Sequence, residues 1–275
     1  MTRSPSVDYV RFHKFPLAGI DPMVASTARS FPRHTHDQYG IGVVDSGAHR
    51  SWSDRGQVEA GPGDIICVNP GEVHDGRPLQ QQSRAWRLLY LDPQLVRETS
   101  EDILPTAGPS FTFAAPVFAD NRVRQLFDIV FCHATSSAAP GALIAPETAF
   151  LQLFARLCKH STGRPVRVQG PAPSIQRARC RIDDDPAAPL TLTTLAREAG
   201  LSRYQLIRGF ARELGLTPHA YILQRRIALA RRLIRAGHEL AEAALACGFY
   251  DQSHLNRCFV RHFGVTPGGY SSRAD

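Results

Sequence analysis

Hydrophobic positions follow one spacing in the first part of the chain and a different spacing in the rest. Up to about residue 115, short β-rich runs cover residues 41–44, 64–68 and 87–91, separated by turns rich in Gly, Pro, Asp and Asn. Regularly spaced short strands of this kind are typical of an antiparallel sandwich or barrel. We therefore expect residues 1–115 to form a β-barrel.

Helical spacing replaces this pattern from about residue 121. One amphipathic helix is predicted because apolar residues recur at i, i+3, i+4, i+7 and i+8, namely Val123, Leu126, Phe127, Val130 and Phe131. A second helix, near residues 146–160, has the apolar positions Phe150, Leu151, Phe154 and Leu157. Together they predict a helical hairpin over residues 116–161.

A Pro- and Gly-rich stretch over residues 162–173 lacks any such spacing and predicts a linker between domains. The remaining residues, 174–275, are predicted to be almost entirely helical. Their longest helix begins at Thr217, an N-cap followed by Pro218 in the first turn, and continues to Ala236.

The last quarter of the chain contains one pattern twice. From Leu206 onward, residues 49 positions apart match, and the second members are Leu255, Arg257, Phe259, Gly264, Thr266, Pro267 and Tyr270. Such a period is the signature of a duplicated supersecondary unit. Each copy is predicted to contain a short helix, a Gly turn and a second helix, which indicates two helix-turn-helix motifs in tandem.

The second helix of each copy has an apolar face and a polar face. In the first copy Ser202 is predicted to cap the helix, and Gln205 completes a capping box. Its outward face is expected to carry Arg203, Tyr204, Ile207 and Arg208. In the second copy Asp251 is the predicted cap, and the outward residues are Gln252, Ser253, His254, Asn256 and Arg257.

These outward side chains suit recognition of DNA in the major groove. Arg matches the edge of guanine, and Gln and Asn match that of adenine. An outward Arg is more often simply solvated, and His254 could equally be a surface histidine. Because Arg208 and Arg257 occupy equivalent places in the two copies, we rank them first among the candidate base contacts.

The distribution of charged residues also divides the chain into two parts. Residues 1–165 hold 16 Lys and Arg and 16 Asp and Glu, whereas residues 166–275 hold 16 Arg and 9 Asp and Glu. The whole net charge of +7 therefore lies in the part with the repeat. A basic module joined to a neutral one points to nucleic acid as a partner.

The C-terminal motif resembles the DNA-binding domain of the AraC/XylS family of bacterial transcription regulators. The resemblance rests on Gly248, Phe249, residues 251–255, Arg257, Phe259, residues 261–267 and Tyr270. It implies two recognition helices in successive major-groove segments, about 34 Å apart by B-DNA geometry. Two departures are Glu239, a poor cap, and Ala243, which stands where the first copy has Leu195 and should loosen the second unit.

The N-terminal part resembles the cupin-like ligand-binding domain of the same family. The matching segments are residues 34–40, Gly47, residues 61–64 and residues 70–74. The resemblance implies a small-molecule effector in the barrel, for which the candidate lining residues are His34, His36, Trp52, His74 and Trp86. Packing in the core remains the alternative for both tryptophans.

Cupins also include metal-dependent enzymes, which leaves a second hypothesis open. His34 and His36 would share one face of a strand, and His74 could join them around a metal. The glutamate that usually completes such a site is replaced by Gly40 or Ile41. We therefore predict no cofactor and no enzymatic activity, and keep a metal-dependent cupin enzyme fused to a DNA-binding domain as the alternative.

The sequence thus predicts an α+β multidomain protein: a cupin-like antiparallel β-barrel, a helical hairpin that resembles the family's dimerisation element, and an all-α domain with two helix-turn-helix motifs. Its expected partners are double-stranded DNA, an unidentified small-molecule effector and a second copy of the chain, with RNA polymerase as a further candidate. No apolar run reaches the roughly 20 residues that span a membrane, and no signal peptide is recognisable, so we expect a cytoplasmic protein.

Overall fold

The computed structural model describes residues 8–53, 56–79, 82–103, 111–135, 144–161 and 171–272. Contacts divide the chain into two compact units. The N-terminal unit comprises residues up to 31 together with 37–166, and the C-terminal unit comprises residues 32–36 and 167–272. The predicted linker over residues 162–173 lies mostly outside the described residues, and its last residue, Pro173, is already helical.

In the described part of the chain, ten strands form two antiparallel sheets. The six-stranded sheet has the order β1-β2-β9-β4-β7-β10, and the four-stranded sheet has the order β3-β8-β5-β6. The strands are β1 (Tyr9–Phe12), β2 (Ile20–Thr27), β3 (Phe31–His34), β4 (Tyr39–Ser46), β5 (His49–Ser53), β6 (Gly56–Ala60), β7 (Ile65–Val68), β8 (His74–Pro78), β9 (Arg84–Leu91) and β10 (Val117–Phe118). The predicted antiparallel β-domain is confirmed.

Alternation along β9 gives the large sheet two different faces. Leu89 and Leu91 belong to the core that includes the helices, whereas Trp86 faces the other sheet and contacts Phe31 and His49. Gly42 on β4 lies opposite Leu88, and a Cβ there would come within 2.5 Å of the Arg87 carbonyl oxygen. The two central strands can approach this closely because position 42 has no side chain.

The described part of the N-terminal unit also contains three helices: α1 (Pro93–Ile103), α2 (Asn121–Thr135) and α3 (Pro146–Leu157), which continues into a 3₁₀ turn at Cys158–His160. The apolar stripes of α2 and α3 are buried in one core with the sheet. The predicted helical pair therefore exists, and it packs on its own β-domain. Helix α1 was not predicted from the sequence.

Asp120 joins the beginning of α2 to the end of α3. Its carboxylate accepts hydrogen bonds from Arg156 Nη2 at 2.7 Å and His160 Nε2 at 2.9 Å, and also from backbone N–H groups at the start of α2. Burial alone would raise the pKa of this carboxyl group. The hydrogen bonds outweigh burial and hold its pKa well below the ordinary value.

The C-terminal unit contains seven helices in its described part. They are α4 (Pro173–Asp184), α5 (Leu192–Ala199), α6 (Arg203–Leu214), α7 (Pro218–Arg235), α8 (Leu240–Ala246), α9 (Gln252–Phe263) and α10 (Pro267–Ser271). No helix in the described ranges of the chain is both long enough and apolar enough to cross a membrane.

The sequence repeat corresponds to a structural repeat. Helices α6 and α9 are both 12 residues long, and their first residues are 49 positions apart. Each ends in a left-handed glycine, Gly215 with φ 67° and Gly264 with φ 76°. Each is followed by a Thr N-cap and a Pro that begin the next helix. The prediction of two helix-turn-helix units is confirmed.

Candidate nucleic-acid interface and ligand site

Helix α6 presents a polar face because its N-terminus is firmly capped and its apolar face is buried. The Ser202 hydroxyl accepts from the Gln205 N–H at 3.2 Å, and the Gln205 side chain accepts from the Ser202 N–H at 2.9 Å. Leu206 and Phe210 are fully buried. The four predicted contact residues, Arg203, Tyr204, Ile207 and Arg208, are all exposed.

Two of these exposed residues hold each other in place. The Arg208 guanidinium lies 5.5 Å from the centroid of the Tyr204 ring, and its Nη1 is 3.5 Å from the Tyr204 hydroxyl. Tyr204 itself is 66% exposed. This cation–π pair restricts the Arg208 side chain on the surface before any partner binds.

Helix α9 repeats this arrangement with different side chains. The Asp251 carboxylate caps the helix by accepting from the His254 N–H at 2.6 Å. Leu255 and Phe259 are buried, and four predicted contact residues are exposed: Gln252, Ser253, Asn256 and Arg257. The His254 ring is only half-exposed, and it packs edge-on against Phe249 at 5.3 Å. Its position favours a role in packing.

Tyr250 is a surface residue that sequence reasoning missed. It immediately precedes the cap of α9 and is 86% exposed. A large aromatic side chain so exposed beside a helix N-terminus is well placed for a nucleic-acid backbone or base. Its signal in the sequence was an insertion: Phe249 corresponds to Leu201 at a spacing of 48 and Asp251 to Ser202 at a spacing of 49, which leaves Tyr250 without a counterpart in the first copy.

The structure bears on both departures in the second copy. Glu239 is the N-cap residue of α8, but its side chain makes no capping hydrogen bond. Ala243 is fully buried, as is Leu195 in the first copy. Both positions are therefore buried, and looser packing of the second unit stays a prediction.

Between the two sheets of the N-terminal unit lies a charged group that sequence reasoning also missed. Arg84 is only 1% exposed, and its guanidinium lies 4.8 Å from the centroid of the Trp86 ring. Its Nε donates to His49 Nδ1 at 2.9 Å and its Nη1 to the Arg29 carbonyl at 3.0 Å. Among the described residues, Nη2 is buried without a hydrogen-bond partner.

The electrostatics of this pair follow from burial. Burial lowers the pKa of Arg84 to about 10. Burial, together with the charge of Arg84, lowers the pKa of His49 to about 3, so the imidazole is neutral and accepts the Arg84 hydrogen bond. Arg84 could have been identified from its spacing, because it lies two residues before Trp86 and shares its face of the strand.

The other predicted ligand residues are dispersed. Trp86 is buried between the sheets, whereas Trp52 on β5 is 45% exposed. The Nδ1 atom of His74 is 3.0 Å from the Glu72 carbonyl. His34 and His36 belong to the C-terminal unit and not to the N-terminal one. Within the ranges described above, no three His, Cys, Asp or Glu side chains cluster as metal ligands would.

Two family models match the chain. One describes an AraC-like ligand binding domain and matches residues 22–165, which is more than half of the chain. The other describes a helix-turn-helix domain and matches residues 195–273. The chain belongs to the AraC family. It is a transcription regulator with a ligand-binding N-terminal domain and a helix-turn-helix DNA-binding domain.

Relatives agree with this assignment. The chain is 28% identical over 229 residues to the uncharacterised HTH-type transcriptional regulator YbfI of Bacillus subtilis, covering 82% of each protein. It is 27% identical to the HTH-type transcriptional activator RhaS of Salmonella arizonae, covering 97% of this chain and 96% of RhaS. Both relatives are named as transcription regulators.

Solved structures show a similar fold. ToxT from Vibrio cholerae aligns with a TM-score of 0.53 at 13% identity, covering 92% of this chain and 98% of ToxT. A ToxT structure bound to an unsaturated fatty acid aligns equally well, with a TM-score of 0.53 at 12% identity, covering 98% of this chain and 97% of ToxT. At such low identity the likeness extends to the fold alone.

Proposed function

We propose that this AraC-family regulator reads DNA with α6 and α9, which enter successive major-groove segments about 34 Å apart on one face of the duplex. The observation that carries the proposal is the duplicated helix. Each copy has the same length, an equivalent side-chain N-cap, a buried apolar face and an exposed polar face. We further propose that the protein acts by binding, not catalysis, in the cytoplasm, with RNA polymerase as a partner.

The proposed contacts differ between the helices. Arg208 and Arg257, at equivalent positions, are assigned to guanine edges, and Gln252 and Asn256 to adenine. Ile207 offers only an apolar surface, which suits a thymine methyl group. Arg203, Tyr204 and Ser253 complete the exposed surface and are assigned to the backbone or base edges. His254 is retained as a candidate, although its ring is partly covered by Phe249.

For the effector we propose the space between the two sheets, around Arg84, His49 and Trp86. A buried guanidinium with an unpaired Nη2 and an adjacent aromatic ring is a polar group that a ligand could satisfy. His74 shares a face of β8 with Gly76, which lies beside His49, and remains a candidate. Trp52 lies on the opposite face of β5 from His49 and is not part of the proposed site. The proposed site omits His34 and His36, which group with the other unit.

The DNA proposal predicts the effect of removing each leading arginine. Arg208→Ala and Arg257→Ala should each weaken specific binding by about 1–3 kcal/mol, or roughly five- to 150-fold, because each removes a bidentate contact to a base. Fluorescence anisotropy on the promoter fragment next to the protein's own gene, with excess non-specific competitor, measures the loss.

The repeat supplies matched controls. Arg212 and Arg261 are also 49 positions apart, lie in the last turns of the same two helices and are exposed. Arg212→Ala and Arg261→Ala remove the same charge, so they should lower binding to specific and non-specific DNA by similar, small factors. If the Arg212 and Arg261 variants lose as much specificity as the Arg208 and Arg257 variants, then the assignment of Arg208 and Arg257 to base contacts is wrong.

We also propose a homodimer formed through the helical pair of the N-terminal unit. Although α2 and α3 bury their apolar stripes in their own core, Leu151 on α3 remains 43% exposed. Leu151→Glu should therefore shift the protein towards monomer in sedimentation equilibrium. Leu245→Glu, at an exposed position in the other unit, is the control and should leave the association constant unchanged. If wild type and Leu151→Glu associate equally, α3 is not the interface.

A further inference from the structure

A groove lies on the helix-bearing side of the six-stranded sheet, beside α2. Its first wall is the edge strand β1 and the residue after it, where Tyr9, Arg11 and His13 alternate along the chain and so share one face. Its second wall is the last part of α2, with Cys132 and Thr135. Val24 and Phe131 form an apolar floor, and Arg87 closes one end.

The size and lining of this groove suit a small molecule. It encloses about 420 Å³, which is within the range of sites for small ligands. Phe131 is buried, and Tyr9 contributes a second aromatic ring at the rim. The body of a ligand in the groove would therefore lie against aromatic and aliphatic carbon.

Charge in the groove favours an anion. Arg11 is exposed, and no acidic side chain lines the groove among the described residues. His13 Nε2 is buried and, within the same described part of the chain, has no hydrogen-bond partner. The cation at the other end, Arg87, is already neutralised by Asp45 and Asp128 at 2.7 Å and 2.8 Å. The Arg11 end of the groove therefore provides the free positive charge.

We propose that this groove binds a small carboxylate with an apolar, ring-sized body. The carboxylate would pair with Arg11 and accept a hydrogen bond from His13 Nε2–H, which gives this buried nitrogen a partner. The apolar body would cover Val24 and Phe131. Burial next to Arg11 lowers the pKa of His13, so the neutral imidazole, with its proton on Nε2, can act as the donor.

This groove is distinct from the space proposed for the effector. Val24 and Arg87 are cross-strand partners and lie on the helix-bearing face of the sheet. Trp86, the next residue along β9, lies on the opposite face between the two sheets. The groove is therefore a separate site from the proposed effector site and from the DNA-reading helices.

Cys132 gives a direct test, because its thiol is exposed in the groove wall. Full-length protein is alkylated with iodoacetamide, with and without 4-phenylbutyrate, and modification of each cysteine is followed by peptide mass spectrometry. Phenylbutyrate should slow Cys132 severalfold and leave Cys180, exposed on α4 of the other unit, unchanged. Two further probes, 4-phenylbutanol with the same body but no charge and acetate with the charge but no body, should protect weakly or not at all.

Variants make the result specific to the groove. Arg11→Gln should raise the phenylbutyrate concentration needed for half-protection about three- to tenfold, since it removes a charge-assisted hydrogen bond. Arg122→Gln removes an exposed arginine elsewhere on α2 and should not change it. Equal protection by phenylbutanol, unchanged protection in Arg11→Gln or no protection at saturation would each overturn the proposal. So would protection without any compound that grows with protein concentration, since a second copy would then fill the groove.

Discussion

Replacing Arg226 with Met should destabilise the DNA-binding unit by about 3 kcal/mol, one of the two largest effects we expect. Arg226 lies on α7, between the two helix-turn-helix motifs. Its Nε donates to the Pro186 carbonyl at 2.7 Å, its Nη1 to Gly248 at 2.6 Å and its Nη2 to Ala188 at 2.9 Å. One guanidinium thus ties the loop before α5 to the turn before α9.

The size of the effect follows from the number and kind of these bonds. Each involves a charged donor, for which a hydrogen bond contributes about 1.5–3 kcal/mol, so three such bonds would combine to about 4.5–9 kcal/mol. Because Arg226 is partly exposed, water can replace part of what is lost, and we expect a smaller effect of about 3 kcal/mol. Methionine keeps the aliphatic stem but leaves three carbonyl groups without this donor. Arg226→Lys should recover little of the lost stability, because a single ammonium group cannot replace a planar guanidinium that donates to carbonyl groups in two separate loops.

Unfolding of the two units in urea can be followed separately, by tryptophan fluorescence for one and by circular dichroism for the other. Both tryptophans of the chain, Trp52 and Trp86, belong to the N-terminal unit, whereas most helices belong to the C-terminal unit. Arg226→Met should lower the midpoint of the helical circular dichroism transition and change the tryptophan fluorescence transition much less. Arg232→Met, at an exposed position on the same helix, is the control. If both variants unfold at the same urea concentration, the three bonds do not stabilise the unit.

Local signals explain what the sequence predicted well. The caps of α6 and α9 depend on residues only three positions apart, and both Ser202 and Asp251 cap as expected. The start of α7 at Pro218 and the left-handed Gly215 and Gly264 are likewise set by local backbone preferences. Because the unit is duplicated, each local prediction was supported by a second copy.

Contacts between distant parts of the chain could not be predicted in this way. Arg84 meets His49 across 35 positions, and Arg226 meets Pro186 across 40. A single sequence gives the face on which a strand residue lies but not which strand of the other sheet it meets. Helix α1 was not predicted because its apolar positions form only a short run, which directly follows a series of strands and is too short to show a helical period clearly. The effector residues were therefore predicted less completely than the DNA-reading ones.

The two copies are also anchored differently, which the repeat alone did not reveal. Tyr221 and Tyr270 occupy equivalent positions, yet Tyr221 donates to Asp183 on α4 at 2.8 Å, while Tyr270 pairs with Arg231 on α7 at 3.0 Å. Burial, with the nearby Asp183 carboxylate, raises the pKa of Tyr221 to about 12. One motif is thus fixed to the first helix of the unit and the other to the helix that joins both motifs.

Acid should destabilise the N-terminal unit through His49, by about 2 kcal/mol between pH 6.5 and about pH 4.5. Burial, and then the charge of Arg84, lowers the pKa of His49 to about 3, against an ordinary value of 6.5. Between these two values the unfolded chain binds a proton that the folded unit does not, so stability falls as the pH falls. Protonation of Nδ1 would also destroy the hydrogen bond from Arg84 at 2.9 Å.

Replacing His49 with Asn should remove this dependence, since the amide oxygen can still accept from Arg84 but does not titrate. Urea midpoints followed by tryptophan fluorescence report the change, because the His49 ring lies 5.8 Å from Trp86. His133→Asn removes a histidine elsewhere in the unit and serves as the control.

Loss of the Asp120 hydrogen bonds contributes at lower pH, as that carboxyl group becomes protonated, and burial beside Arg11 makes His13 act in the same direction as His49. The urea midpoint could instead change with pH, above pH 4.5, by the same amount in wild type and in His49→Asn. That result would show that His49 is protonated in the folded unit and that Arg84 does not hold it neutral.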